Sequence, residues 1–358
     1  MMTVLRFVAA LAGAFFFVTA TAMAQPKGTE QVRLDQQIAR LEERLKAGAA
    51  TASDYASFAL ALLEKMRATP DPAFYPRAEQ AVGEAFNRDP ANFEASVGMG
   101  ILCLARHDFF GALDWGEKAL VLSPGNSAGL GVVADSQMEL GLYDEAVTTV
   151  QQMVDVRPGV PSYARTAQLR FLYGDLPGAI EIQKEAITIA ALSGGEAAAW
   201  SRSNLGLMLF KTNRLDEARH EFEQALHVVP FYERALAGLG QVRAAEGDYD
   251  AAIESYSQAI RRIPLPQHVM DLADLYRAAG KPDDAARQDA LLDAIVKVER
   301  ANGINIDVDL ALYYANSNRD PEKTVALARQ ALAARPNVYS EDVLAWALFK
   351  KGNADEAG

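Results

Sequence analysis

Proline residues recur at a fixed interval along this chain, and that period limits the possible folds more than any other feature. Pro90, Pro124 and Pro158 are 34 residues apart, and the same interval separates Pro230 from Pro264. The residues five and twelve positions before these prolines are small, with one methionine as the exception: Ala85, Ala119, Met153, Ala225 and Ala259, then Ala78, Ala112, Ala146, Ala218 and Ala252. A period of this length predicts a linear array of short units rather than one globular core.

Each unit contains a short phrase in which one helix ends and the next begins. Residues 141–146 (GLYDEA) and 247–252 (GDYDAA) are two examples. Glycine accepts the left-handed backbone that ends a helix, and the acidic residues after it suit the positive N-terminal end of the next helix. The closing proline has no N–H to donate and therefore ends that second helix. Two alanines seven residues apart share one helix face, so each unit is predicted to be a tightly packed helical hairpin.

These hairpins resemble tetratricopeptide repeats. The match is carried most clearly by Leu205, Gly206, Ala218, Phe222, Ala225 and Pro230, and again by Leu239, Gly240, Ala252, Tyr256, Ala259 and Pro264. The resemblance implies an all-α fold, a right-handed superhelical solenoid of helix-turn-helix hairpins. It also implies about eight repeats and a partial C-terminal one, with an inserted turn at residues 69–72 and a seventh second helix that extends to about Arg300.

The sequence before the repeats has two parts. Residues 1–24 carry one charge, Arg6, then an apolar run that ends in small residues, which is typical of a secretory signal peptide. Cleavage is expected between Ala24 and Gln25, with a retained membrane anchor as the alternative. Residues 25–52 contain apolar side chains in alternating steps of four and three, which predicts an amphipathic capping helix.

The repeats themselves occupy two segments. We assign residues 53–336 to the solenoid and residues 337–358 to a partial repeat, in which 352–357 reproduces the turn phrase. An unfinished hairpin would leave Leu344, Trp346, Leu348 or Phe349 partly uncovered, since terminal repeats normally need a polar cap. We therefore expect this end to be truncated relative to the family pattern or to associate with another chain.

Charge and cysteine content exclude several classes of function. The chain has 47 acidic and 35 basic side chains, a formal charge of −12, and a single cysteine. The acidic balance argues against nucleic-acid binding, which depends on a basic patch. One cysteine excludes a disulfide framework and cysteine-rich metal sites, and Cys103 lies in an apolar helical run that predicts a core position.

The sequence contains no convincing catalytic or metal-binding pattern. Residues 125–129 (GNSAG) match a hydrolase nucleophile signature, but helix is predicted on both sides where that signature needs a strand, so Ser127 is interpreted as a helix cap. His220 and His227 are two helical turns apart, about 10 Å, which is too far for one metal ion. His107 and His268 are expected to be solvated. We therefore predict a protein that is not an enzyme and has no metal or cofactor.

By resemblance, the first helices of the hairpins line a concave groove that binds a protein or peptide partner. The groove residues predicted by repeat register are Asp135, Gln168, Phe171, Trp200, Leu207, Phe210, Lys211, Arg234, Gln241, Asp274, Arg277 and Tyr313. The predicted function is an exported, periplasmic or secreted scaffold, without a membrane span after signal cleavage, in assembly or maintenance of a bacterial envelope, secretion or surface complex. The alternatives are a small-ligand or peptide-binding repeat protein, and an enzyme or enzyme regulator without a recognisable motif.

Overall fold

The structure, a computed structural model, describes residues 29–68 and 73–357. Every regular element in these ranges is an α-helix. The expected signal peptide, its cleavage site and the inserted turn at 69–72 lie outside the described residues. No helix within the described ranges is both long enough and apolar enough to cross a membrane.

The chain begins with helix α1 (Thr29–Lys46) and continues as a series of antiparallel helical hairpins. The first four hairpins are α2 (Ala52–Ala68) with α3 (Phe74–Arg88), α4 (Phe93–Ala105) with α5 (Phe109–Leu122), α6 (Ser127–Glu139) with α7 (Tyr143–Val156), and α8 (Val160–Leu172) with α9 (Leu176–Ser193). The others are α10 (Gly195–Lys211) with α11 (Leu215–Val228), α12 (Glu233–Ala245) with α13 (Tyr249–Arg262), α14 (Pro266–Ala278) with α15 (Pro282–Ala301), α16 (Asp307–Asn316) with α17 (Pro321–Ala334), and α18 (Val338–Lys351) with the short α19 (Ala354–Ala357). The predicted extension of the seventh second helix is confirmed, since α15 runs to Ala301.

The turn inside each hairpin follows the local chemistry that the sequence predicts. The turn after the first helix has a left-handed backbone at Gly141, Gly174, Gly247, Gly280 and Gly352, where glycine has no Cβ to clash. Aspartates at the start of several second helices then accept a hydrogen bond from a free helical N–H, as Asp108, Asp175, Asp248 and Asp320 do. The sequence phrase therefore ends one helix and caps the next.

Small residues set the distance between the packed helices. Alanines of the repeat, among them Ala112, Ala218 and Ala252, are fully buried. Gly206 lies against the ring of Phe222, and an ideal Cβ on that glycine would be 2.7 Å from Cε1 of the ring. Because such a contact is shorter than real packing allows, the hairpin depends on glycine at this position.

The solenoid returns on itself after about six hairpins. The turn between α4 and α5 meets the loop between α15 and α16, where the Nδ1–H of His107 donates to the carbonyl oxygen of Asn305 at 2.5 Å. The backbone N–H of Asn305 donates to the carbonyl of Arg106 at 3.0 Å. His107 and Asn305 are 198 residues apart in sequence. One superhelical turn therefore contacts the next.

A second contact with the same sequence separation joins the next pair of loops. The turn between α6 and α7 meets the turn between α17 and α18, where the side-chain amide of Asn337 donates to the carbonyl of Glu139 at 2.9 Å, again 198 residues away. The backbone N–H of Val338 donates to the Tyr143 hydroxyl at 3.3 Å, and Arg335 forms an ion pair with the Glu139 carboxylate. We call these two sets of contacts the inter-turn contacts.

Three predictions about individual residues are wrong. The cap of α6 is Asn126, whose side chain accepts from Ala128 N, and Ser127 is the first helical residue. His268 is buried in the first turn of α14 rather than solvated, next to the buried Val269 and Met270. His107 is half-buried by its contact with Asn305.

Cys103 is partly buried against the core, and burial raises the pKa of its thiol to about 12.

Candidate functional site

A cavity of about 270 Å³ lies between the first helices of the central repeats and the turn between α17 and α18. We call it the inter-turn cavity. One wall comes from α6, the start of α7, α8 and the end of α10, and the other comes from the segment 335–342. Its lining residues are Asp135, Met138, Glu139, Tyr143, Gln168, Phe171, Leu172, Lys211, Arg335, Asn337, Val338, Tyr339 and Asp342. The inter-turn contacts hold the two walls together.

Two of the three acidic groups in the lining already have a cationic partner. The Asp135 carboxylate accepts hydrogen bonds from Nε and Nη2 of Arg165 at 2.8 and 2.6 Å, in a pair that is almost fully buried. Glu139 is paired with Arg335. Burial raises the pKa of Asp135 to about 7 and that of Glu139 above its ordinary value, and the paired arginine opposes the rise in each case. The third acid, Asp342, is exposed.

Lys211 contributes a cation that the protein does not neutralise. Its ammonium makes no hydrogen bond and no ion pair with any described residue, and it stands 5.8 Å from the centre of the Phe171 ring. Burial lowers the pKa of this amine to about 8, because removing a charge from water disfavours the protonated form. The last residue of α10 thus places a poorly hydrated positive charge at the wall of the cavity.

Several polar atoms of the lining are buried without a protein partner. They are Oε1 of Gln168, Nε of Arg335 and the hydroxyl of Tyr339. A buried polar group without a hydrogen bond costs about 1–3 kcal/mol, so a side-chain rotation that brings one of these atoms to the cavity surface becomes favourable once a bound molecule pairs with it. The lining therefore combines the Lys211 cation and apolar side chains with one acceptor and two donors that lie just beneath its surface.

The structure brings four of the twelve predicted groove residues together at this cavity: Asp135, Gln168, Phe171 and Lys211. Three others pack in the neighbouring hydrophobic core. Trp200 is only 9 % exposed, and Leu207 and Phe210 are partly buried against the same cluster. Trp200 is large enough to fill the space between adjacent hairpins, so a substitution there would act on stability before it acted on binding.

The remaining five predicted residues lie further towards the C-terminal end, and three of them form one network. Arg277 bonds the hydroxyl of Tyr313 at 2.9 Å and pairs with Asp274 at 2.9 Å and Asp289 at 2.6 Å. Tyr313 is buried in this network. Gln241 is half-buried, and Arg234 is exposed on α12, 3.9 Å from Glu233. A role in partner binding stays a prediction for all twelve residues.

Sequence reasoning missed the residues that the second superhelical turn contributes. Five lining residues come from the eighth repeat and the partial repeat, about 120 to 210 residues from the wall they face: Arg335, Asn337, Val338, Tyr339 and Asp342. One feature of the turns did indicate the neighbouring contact. In most hairpins the residue with a left-handed backbone is glycine, and in two it is Asn213 or Asn318. In the second hairpin it is His107. A histidine there is strained, and it donates to Asn305 across the two superhelical turns.

Comparison with known proteins agrees with this geometry. A family model described as tetratricopeptide repeat matches residues 73–127 and 204–265. The fold is a tetratricopeptide-repeat solenoid. Tetratricopeptide repeat protein 21A of the mouse is 25% identical over 288 residues, which cover 78% of this chain and 20% of that protein. The chain therefore spans about a fifth of the length of this curated relative.

Solved tetratricopeptide-repeat structures share the architecture over most of the chain. A human IFIT1 dimer with m7Gppp-AAAA has a TM-score of 0.58 and 16% identity, and the match covers 91% of this chain and 74% of that one. The Cut9–Hcn1 hetero-tetramer of the APC/C has a TM-score of 0.54 and 16% identity, with 90% and 64% covered. At this identity the likeness establishes the fold alone.

Tetratricopeptide-repeat proteins are generally protein-interaction scaffolds, and such domains usually bind proteins or peptides. Among the described residues, no group of three or more His, Cys, Asp or Glu side chains is arranged to hold a metal ion. The absence of catalysis and of a cofactor stays a prediction.

Proposed function

We propose that this protein is an exported, non-catalytic scaffold whose partner enters the inner face of the solenoid at the inter-turn cavity. The observation that carries the proposal is the convergence of Gln168, Phe171 and Lys211 from successive first helices on one cavity. Apolar side chains with a few polar groups are the usual composition of a binding pocket. The biological role would be assembly or maintenance of a bacterial envelope, secretion or surface complex.

The test is co-purification of the full chain and its variants from an envelope fraction. Lys211→Glu reverses the charge in the cavity, and Arg234→Glu reverses an exposed charge on the inner helix α12. Lys184→Glu is the matched control, because Lys184 is exposed on a second helix, α9. A partner that is lost with the first two variants and retained with the control supports the proposal. Retention by all three folded variants argues against it.

Export is a separate part of the proposal and has its own test. The apolar run after Arg6 and the small residues that end at Ala24 support a cleaved signal. Mass spectrometry of the protein expressed in a bacterial host is expected to find Gln25 at the mature N-terminus and the protein in the periplasmic fraction. An intact N-terminus in the cytoplasmic fraction would contradict this part alone.

The nucleotide in the IFIT1 structure does not extend to this chain. The likeness rests on 16% identity. The formal charge of −12 disfavours a phosphate-rich ligand. A second candidate function, binding of a small ligand inside the superhelix, is favoured by the size of the inter-turn cavity, since 270 Å³ is close to the lower limit for small-molecule sites.

A further inference from the structure

The inter-turn cavity selects the charge of the group that fills it. Of its five ionisable acid and base side chains other than tyrosines, Asp135 and Glu139 are neutralised by arginines, and Arg335 is itself one of those arginines. Asp342 lies exposed at the mouth. Lys211 is therefore the one cation of the lining with no anionic partner in the described chain, and a bound anion would restore a favourable interaction that burial removed.

The shape and polarity of the lining restrict that anion further. Met138, Phe171 and Leu172 supply an apolar surface, so a ligand that is only an inorganic ion would leave that surface in contact with water. The buried Oε1 of Gln168 accepts hydrogen bonds and needs an N–H or O–H donor. The volume of about 270 Å³ admits a molecule the size of an amino acid and excludes a folded segment.

We propose that the inter-turn cavity binds a small organic carboxylate that has an apolar body and one hydrogen-bond donor, with the carboxylate on Lys211 and the donor on Gln168. This inference specifies the ligand class for the second candidate function above and does not require a protein partner. The carboxylate can belong to a free small acid or to the last residue of a peptide, since the two present the same chemistry.

The position of the cavity gives such a ligand a structural effect. Lys211, Gln168 and Phe171 belong to the first superhelical turn, whereas Arg335, Asn337 and Tyr339 belong to the second. A ligand that contacts both walls binds the closed arrangement better than any open one, so it shifts the population towards the closed form. Binding is therefore expected to slow amide exchange in residues 335–342, which form the second wall.

The experiment uses the full chain and calorimetric titration with N-acetyl-L-leucine, which has a carboxylate, an N–H donor and an apolar side chain. Its neutral counterpart is N-acetyl-L-leucinamide. A dissociation constant of about 1 mM or tighter is expected for the acid, with binding of the amide at least about tenfold weaker. Equal binding of acid and amide would overturn the carboxylate inference and leave a small-ligand function standing. Binding of neither compound overturns both.

Variants of Lys211 separate a binding role from a structural one. Lys211→Met is expected to weaken binding of the acid at least about tenfold, and the exposed control Lys184→Met is expected to leave it unchanged. For the parent, affinity falls as pH rises through about 8, where the amine loses its proton. Lys211→Arg removes that fall, because arginine stays protonated. The titratable groups that line the cavity with Lys211 are Asp135, Glu139, Tyr143, Arg335, Tyr339 and Asp342.

The source of the carboxylate is decided by a third probe. The peptide acetyl-Ala-Ala-Ala-Leu carries the same terminal residue on a longer chain. Binding of the peptide as tightly as of N-acetyl-L-leucine identifies the end of a peptide as a ligand, and exclusion of the peptide identifies a free small acid. If Lys211→Met binds the acid as well as the parent does, and the parent shows no change of affinity between pH 7 and about 9, the assignment of Lys211 is wrong.

Discussion

Two glycines in equivalent turns provide a matched test of the inter-turn contacts. Gly141 ends α6 and Gly174 follows α8, with φ of 73° and 79°. An ideal Cβ on Gly141 would overlap the carbonyl oxygen of Pro336 and lie 3.4 Å from Cα of Asn337. On Gly174 it would meet nothing within 4 Å. Alanine at either position strains the backbone equally, so the difference between the two variants isolates the contact with Pro336.

The magnitude follows from these contacts. A left-handed alanine costs about 1–2 kcal/mol at either position. Gly141→Ala adds an overpacking cost of about 1–3 kcal/mol, or, if the turns separate, loses the hydrogen bond from Asn337 to Glu139, about 1 kcal/mol. We therefore expect the free energy of unfolding of Gly141→Ala to lie about 2 kcal/mol below that of Gly174→Ala.

Urea denaturation of both variants measures this difference, and hydrogen exchange locates it. Gly141→Ala is expected to raise exchange in residues 335–343, whereas Gly174→Ala leaves that segment as protected as in the parent. Equal stabilities, within about 0.5 kcal/mol, together with equal protection of this segment, would refute the contact between the two superhelical turns.

Three further outcomes are expected. Arg165→Met leaves the buried Asp135 carboxylate unpaired and is expected to lower the free energy of unfolding by about 3–5 kcal/mol. The double variant with Asp135→Leu is expected to recover most of this loss. If urea denaturation shows that the losses of the two single variants simply add, the pairing is contradicted. Gly206→Ala costs about 1–3 kcal/mol through its clash with an aromatic ring, whereas Gly83→Ala, with open space around its Cβ, gains up to about 1 kcal/mol; similar melting temperatures would be the contrary result. Burial raises the pKa of Asp309 from 3.8 to about 6, so the folded state binds a proton that the unfolded state releases. Stability is therefore expected to fall by roughly 2 kcal/mol as pH rises from about 4 to about 6, and Asp309→Asn should flatten that part of a denaturation–pH profile.

The hairpins could be predicted because their signals are local. A glycine at position 141 or 247 and an aspartate one to three residues later determine the turn within six residues of chain. Positions 112 and 218 need a small residue such as alanine, because a neighbouring helix leaves no room for a larger side chain. The same periodicity therefore predicts the repeat, its turn and its packing face.

The site could be predicted only in part, because a cavity wall depends on the superhelical path of the whole chain. The register placed Gln168, Phe171 and Lys211 on first helices, and these residues do line one cavity. The repeat register could not place Arg335 or Asn337 opposite them. Small changes in the angle between neighbouring repeats accumulate over six hairpins, so the position of the second superhelical turn does not follow from the register. Polar residues buried by such contacts, such as His107, look solvated when each repeat is considered alone.

The contacts between residues 198 apart make the number of repeats a structural constant. An open solenoid can gain or lose a unit by duplication or deletion, because each repeat contacts only its neighbours. Here, one additional repeat inserted between residues 143 and 302 would move Asn305 and Asn337 past the turns that they meet. The array would have to open or find a new alignment. Duplication within this span would therefore break the inter-turn contacts, whereas an added repeat at either end would leave them in place.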